Sequence, residues 1–325
     1  MTWNRPPRAV TIAARHAMII CLGTTPTVQR TMTFARLEID AVNRASDVRQ
    51  FASGKSVNVA RVLHAIGEPS LATGFLGGEP GRFVRAELDR AGIAHDFVET
   101  ESPARLCVTL IDESARTATE LIEESNSVEP ERYRALLSKL AELLPRATAL
   151  VLSGTLPPGA PQRFYADCVS LAGVSVPVIL DAKGEPLDWA LERRPTVVKI
   201  NRAELAQTLD ADVDDEDAVR GAMRQVVVRG ARWAVVTCGK MPTYLTDGRR
   251  FFVAQTPTVD VVNPIGSGDA FAAGLSAGLA RGQDVPESIP LAVGCATANA
   301  MTTDAGHVRR EDVDRLLAHV WVEPI

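Results

Sequence analysis

From Met18 onward, short apolar runs alternate with stretches whose apolar positions recur every three or four residues. The short runs suit strands buried on both faces, and the longer periods suit helices packed by one side. Strands are predicted over residues 17–22, 70–74, 149–152, 177–181, 197–200, 233–237 and 243–245. Helices are predicted over 57–66, 81–91, 132–144, 163–171, 203–209, 217–229, 269–281 and 288–301. This alternation predicts an α/β fold built on a doubly wound, mostly parallel sheet. Two regions break the rhythm. Residues 29–52 and 105–122 are extended and amphipathic, as if the chain leaves the main sheet twice and returns.

The stretch from Thr258 to Gly282 concentrates the candidate chemistry. Val259, Val261 and Val262 alternate as in a strand arriving from a buried sheet, and Pro264 stops it. Gly266, Ser267 and Gly268 then allow a tight turn. Phe271, Leu275 and Leu279, spaced by four, mark a helix whose alanine and glycine face can lie close against a sheet. A glycine turn at a helix N-terminus offers unpaired N–H groups and the positive end of the dipole to an anion such as phosphate. Asp269 either caps that helix or takes a proton from a hydroxyl nucleophile beside the anion.

At 325 residues, with 46% apolar and 23% charged side chains, the chain holds one large α/β domain or one with a smaller attachment. The net charge of −5 and the lack of a basic tract argue against a nucleic-acid partner. Cys21, Cys107, Cys168, Cys238 and Cys295 are scattered without zinc or CxxC spacing, which suits a reduced, cytoplasmic setting. No apolar run reaches membrane-spanning length. Residues 1–17 read as an extension ahead of a domain over 18–325, either a disordered tail or a mis-assigned start, without the apolar core of a signal peptide.

Asn263 to Gly274, which contains Gly266-Ser267-Gly268-Asp269, resembles the C-terminal signature of the ribokinase-like (phosphofructokinase-B) carbohydrate kinases. The resemblance covers nearly all of 18–308. It implies a phosphotransferase that moves the γ-phosphate of ATP to a sugar hydroxyl. In it Gly266, Ser267 and Gly268 form an anion hole and Asp269 is the base. It also implies that the two excursions form a small β-sheet lid over the sugar, with a homodimer contact through it. Ser53-Gly54-Lys55-Ser56-Val57-Asn58 is similar to the family's N-terminal sugar signature, with Lys55 placed for an anionic group and Asn58 for a hydroxyl. Without a ligand, Asn58 would cap the helix and Lys55 would be solvated. Gly54-Lys55-Ser56 is not a P-loop, because Arg49 stands where that motif needs glycine. Ser53 and Ser56 replace the usual outer glycines, and Gln29 stands where the family carries a sugar-binding aspartate.

Arg105 matches a family arginine that reaches substrate, and its guanidinium suits a sugar phosphate. Without a ligand it is an exposed strand residue. Thr119-Glu120 resembles the branch with tagatose-6-phosphate kinase and 1-phosphofructokinase, although Glu123 to Asn126 depart from that branch. Leu152 to Gly159, which contains Thr155, resembles a family hinge carrying small hydroxyl residues near the substrate, and Asp181 ends a strand where open α/β sheets collect ligands. Lys199-Ile200-Asn201-Arg202-Ala203-Glu204 matches a motif that sets Lys199 near nucleotide phosphates and Asn201 and Glu204 near Mg2+ through its waters. Asn201 and Glu204 also form a capping box that needs no ligand. Asp210 to Asp217 read as a solvated face and a helix start, since Asp215 takes the place of a calcium loop's glycine. Thr237 and Gly239 resemble a nucleotide contact, with Pro242 in place of a second glycine. Gly294 to His307 resembles the same branch of the family, which implies a helix walling the adenine pocket with Asn299 facing it; otherwise Asn299 packs in the core. A hexose phosphate is the leading acceptor. An unphosphorylated sugar or nucleoside comes next, and a catalytically weak ligand-binding relative is the alternative from another class.

Overall fold

The computed structural model describes residues 17–211 and 213–325. The extension expected over 1–17 lies outside them except for Ala17, as does Asp212 of the acidic run. The chain opens with β1 (Met18–Gly23), β2 (Thr27–Phe34), β3 (Asp47–Ser53) and α1 (Lys55–Ala65). It continues through β4 (Ser70–Gly77), α2 (Gly78–Ala91), β5 (Val98–Thr100), β6 (Arg105–Asp112), β7 (Thr117–Ile122) and α3 (Pro130–Leu143). Next come β8 (Ala147–Ser153), α4 (Phe164–Ala172), β9 (Val178–Asp181), α5 (Glu185–Leu191), β10 (Val197–Asn201), α6 (Arg202–Leu209) and α7 (Glu216–Val228). The chain closes with β11 (Trp233–Cys238), β12 (Met241–Thr246), β13 (Phe251–Ala254), α8 (Ser267–Ala280), α9 (Val285–Ala300), α10 (Arg310–Leu317) and β14 (Val322–Pro324).

Ten strands form the main sheet in the order β14-β13-β12-β11-β10-β9-β8-β1-β4-β5. The run from β11 to β5 is parallel, and β12, β13 and β14 add antiparallel pairs at one edge. Alternate residues of β1 feed opposite faces. Ile19 and Cys21 enter a core with α1, α8 and α9, while Ile20 and Leu22 enter one with α3, α4 and α7. Burial on both faces explains why the parallel strands read as continuous apolar runs.

The two excursions form a separate sheet in the order β3-β2-β6-β7, in which β2 and β6 run parallel. One face of it carries the buried Gln29, Thr31, Phe51, Cys107 and Thr109, and the other the half-buried Met32, Val108 and Leu110.

Several predicted elements change. No strand forms at Val259–Val262, because Val262 N and Asn263 N both donate to Ala300 O and leave Val261 and Val262 exposed. Helix α8 packs both on the sheet, chiefly at β8, and on α9, and its glycines face α9. A Cβ on Gly274 would come within 2.5 Å of Leu291 O, and one on Gly278 within 2.3 Å of Ser288 Oγ. Strands β5, β13 and β14 and helices α5 and α10, three to eight residues long, were not predicted. All five cysteines are free.

Candidate active site

The site lies at the C-terminal ends of the parallel strands, where β1, β8, β9 and β10 release their loops. The turn from β3 into α1 comes first. Gly54 has φ 99°, and a Cβ there would stand 2.8 Å from Pro26 Cα, so the loop after β1 packs directly on this turn. Helix α1 has Gly54 as its N-cap with no side-chain cap, so Asn58 does not cap it. Asn58 Nδ2 instead donates to Asp269 Oδ2 at 2.8 Å, and Ser53 Oγ donates to Asn58 Oδ1 at 2.9 Å. Of the two serines that replace the usual glycines, Ser53 orients the Asn58 amide, while the buried Ser56 Oγ has no hydrogen-bond partner among the described residues and packs against Gly23.

Asp181, at the end of β9, bridges two cations. Lys55 Nζ donates to its Oδ1 at 2.7 Å, and Lys199 Nζ to its Oδ2 at 2.9 Å. Burial alone would raise the Asp181 pKa, but the Lys199 and Lys55 ammonium groups outweigh it and hold the carboxyl below its ordinary value. Lys199 also borders the glycine turn, since a Cβ on Gly268 would lie 2.7 Å from its Nζ.

The turn enters α8 with Gly266 in the left-handed region at φ 83° as N-cap and no side-chain cap, so Asp269 does not cap the helix. Ser267 N donates to Pro264 O at 3.2 Å. Among the described residues, the N–H groups of Gly266 and Gly268 have no protein acceptor. Two of the three turn amides are thus available to an anion at the positive end of α8. The Asp269 side chain is buried, and burial pushes its carboxyl up to about 6 against the opposing pull of Lys55, Asn58 and Lys199. A carboxylate near neutrality beside an anion cradle can accept a proton from a hydroxyl placed between them.

Asn299 is fully buried. Its Nδ2 donates to Ile265 O at 2.9 Å and to Ser267 Oγ at 3.2 Å, and its Oδ1 accepts from Gly306 N at 2.7 Å. It braces the turn from behind. Asn201 and Glu204 form the reciprocal capping box of α6, with bonds of 2.8 and 3.1 Å, and the Glu204 charge also supports Lys55. No cluster of three metal-ligating His, Cys, Asp or Glu exists among the described residues.

The remaining predicted residues stand apart from this network. Gln29 lies on the buried face of the small sheet and donates from Nε2 to Thr109 Oγ1 at 2.9 Å. Arg105 borders a small hollow with Thr25, Pro26 and Asn126, and its Nη1 donates to Glu123 O at 3.2 Å. Thr155 is exposed beside a cavity of ≈ 340 Å³ that it shares with Lys183, Gln207 and Thr208. Thr237 is the penultimate residue of β11, and Gly239 turns at φ 62° into β12, which holds Pro242. Sequence reasoning missed the pairing of Asp181 with both lysines, the link from Ser53 to Asn58, and the bracing by Gly306. Only the strand-end position of Asp181 signalled any of these.

The sequence profile described as the pfkB family carbohydrate kinase matches residues 17–310. A phosphofructokinase candidate from Staphylococcus aureus superposes with a TM-score of 0.78 at 27% identity, covering 95% of this chain and 99% of its own. A candidate 1-phosphofructokinase from Thermotoga maritima gives 0.86 at 23%, with 95% and 99% covered. Phosphofructokinase-2 from Escherichia coli in complex with potassium gives 0.86 at 22%, with 93% and 99% covered. The latter two share the fold of this chain.

Proposed function

Because the chain belongs to the pfkB family of carbohydrate kinases, we propose that it transfers the γ-phosphoryl group of ATP to a hydroxyl of a hexose phosphate, of the tagatose-6-phosphate or fructose-1-phosphate type, with Asp269 as general base. The chain is a sugar kinase, a phosphotransferase with an alcohol acceptor and ATP as co-substrate. The observation that carries the finer reading is the contact of Asn58 with Asp269, which joins the sugar-side helix to the acid beside the open turn.

In-line transfer needs charge stabilisation and a proton acceptor more than covalent chemistry. The N–H groups of Gly266 and Gly268, helped by Lys199, stabilise charge on the phosphoryl oxygens. Asp269 takes the acceptor's proton, and the Asn58 amide, oriented by Ser53, fixes the carboxylate rotamer and places the hydroxyl. Lys55 and Arg105 are the cations for the substrate's own phosphate. Gln29, Gly54 and Thr155 bound the sugar, and Thr237, Gly239 and the turn braced by Asn299 bound the nucleotide. The small sheet excludes water that would otherwise accept the phosphoryl group.

The chain fits Mg2+ only through water. The cap uses Asn201 Oδ1 and Glu204 Oε2 and leaves one Glu204 oxygen, while Asp181 is taken by two lysines. When bound there, the ion neutralises charge on the ATP phosphates.

Gln29, whose amide group donates where the family carries an acceptor carboxylate, favours a second reading, an unphosphorylated sugar or nucleoside. An ATP-consumption screen separates them. Turnover with hexose phosphates and none with free sugars supports the first, the reverse supports the second, and no acceptor at all sinks both.

A further inference from the structure

The small sheet packs on α1 and α2 through β2 and β3, with Val28 and Ala52 in the core, and one face of β3 also meets the loop after α9. Strand alternation puts Asp47, Arg49, Phe51 and Ser53 on that face. Ser53 reaches Asn58, and the Phe51 ring stands edge-on to His307 with centroids 5.3 Å apart. Arg49 Nη1 donates to Asp304 Oδ2 at 3.0 Å and to Thr303 Oγ1 at 3.1 Å, and its Nε is steadied by Asp47. Asp304 is mostly buried, with 13% of its side chain exposed, and its Oδ1 has no hydrogen-bond partner among the described residues. Arg61 and His307 also face this carboxylate, but Arg49 alone ion-pairs with it among the described residues.

From Asp304 a chain of contacts runs to the glycine turn. Asn263 Nδ2 donates to Thr303 O at 2.9 Å, and Asn263 Oδ1 accepts from Ile265 N at 3.0 Å. Gly306 N donates to Asn299 Oδ1, and Asn299 Nδ2 holds Ile265 O and Ser267 Oγ. Gly306 leaves no room for displacement: a Cβ on it would lie 2.8 Å from Asn58 Cβ, and one on Gly266 would lie 2.8 Å from Gly306 N. The loop over residues 302–307 is therefore wedged between the small sheet, Asn58 and the turn, and it can shift only by moving one of them.

We propose that Arg49 and Asp304 are positioning residues, whose ion pair across the cleft holds the 302–307 loop and, through Asn263 and Asn299, sets the Gly266–Gly268 turn in the geometry that receives the phosphoryl group. Arg49 is half exposed at 52%, and a pair with one wet partner adds little to global stability. Removing the Arg49 charge while β3 stays in place leaves the nearly buried Asp304 carboxylate without its ion-pair partner, so the position of β3 and the geometry of the turn are coupled. This inference rests on the kinase function proposed above.

The test compares Arg49→Ala, Asp304→Asn and Arg49→Lys in the full chain, read by amide hydrogen exchange without ligands and by steady-state kinetics. Exchange should quicken by at least about fivefold in residues 47–53 and at the bonded amides of Ile265 and Ser267 together for the first two variants, and stay near wild type for Arg49→Lys. The kcat for phosphoryl transfer should fall by a similar factor while KM for ATP stays within about twofold. Faster exchange in 47–53 with Ile265 and Ser267 unchanged would overturn the proposal, as would unaltered kcat in both variants. Asp304→Asn keeps the shape of the loop should Arg49→Ala fold poorly. Exchange does not depend on substrate, so a protein that phosphorylates no sugar sinks the kinase reading while the coupling is still judged.

Discussion

Asp269 carries two demands that pull in opposite directions. Burial raises its carboxyl from the ordinary 3.8 to about 6, which suits the base role proposed above but penalises the ionised form in the folded protein. The sign for stability follows from the raised value. The contribution of this group is fully present below pH of about 4 and is lost as pH rises through about 6, a loss of up to about 3 kcal/mol. Asp269→Asn should therefore melt no lower than wild type at pH 8 by calorimetry, with turnover down at least about a hundredfold and ATP affinity retained by titration calorimetry. A variant with full activity removes Asp269 from the base role. In the native enzyme, kcat/KM for the sugar should drop about tenfold per pH unit below about 6, as the base becomes protonated. A flat profile between pH 5 and 7 would contradict that assignment.

Strand β9 shows what an element contributes that no single motif reveals. It delivers Asp181 to a buried point between Lys55 and Lys199, which arrive from α1 and β10. Asp181→Asn would leave those ammonium groups facing a neutral amide, and should cost about 3–5 kcal/mol in denaturant unfolding. Because the native pKa of Asp181 is lowered, its contribution is present above pH of about 4 and fades as pH falls. The gap between variant and wild type should narrow in acid, and a gap independent of pH would show that the lysines do not depend on this charge. The capping box of α6 was legible because Asn201 and Glu204 are three residues apart, so one local pattern contains both partners. The β9 bridge was not, since its partners lie 126 and 18 residues away. Valine alternation at Val259–Val262 misled because the backbone there is claimed by Ala300, a contact that propensity does not register.

At the scale of the molecule, the small sheet is the part least able to stand alone. Its outward face gathers Val48, Met32, Leu110, Val108 and Leu121 in adjoining cross-strand rows, with Val48 at 43% and Leu121 at 52% exposure. Such a patch on a sheet with an exposed edge strand favours a partner of the same kind. A homodimer through this face is expected by sedimentation at micromolar concentration. Leu121→Lys should shift it toward monomer, with main-sheet stability within about 0.5 kcal/mol of wild type. A wild-type monomer under these conditions, or a dimer untouched by the substitution, would place any contact elsewhere.

The amino-acid sequence on its own determined the doubly wound α/β plan, the two excursions, the glycine turn at the head of α8 and the local cap of α6. Each of these depends on neighbours within a few residues or on a repeating polarity, which a linear string records directly. Tertiary structure alone decided that Ser53 orients Asn58 toward Asp269, that Asp181 joins two lysines, and that α8 rests its small residues on α9. Those contacts join residues brought close only by chain crossings, and the burial that tunes Asp269 exists only once every layer is in place.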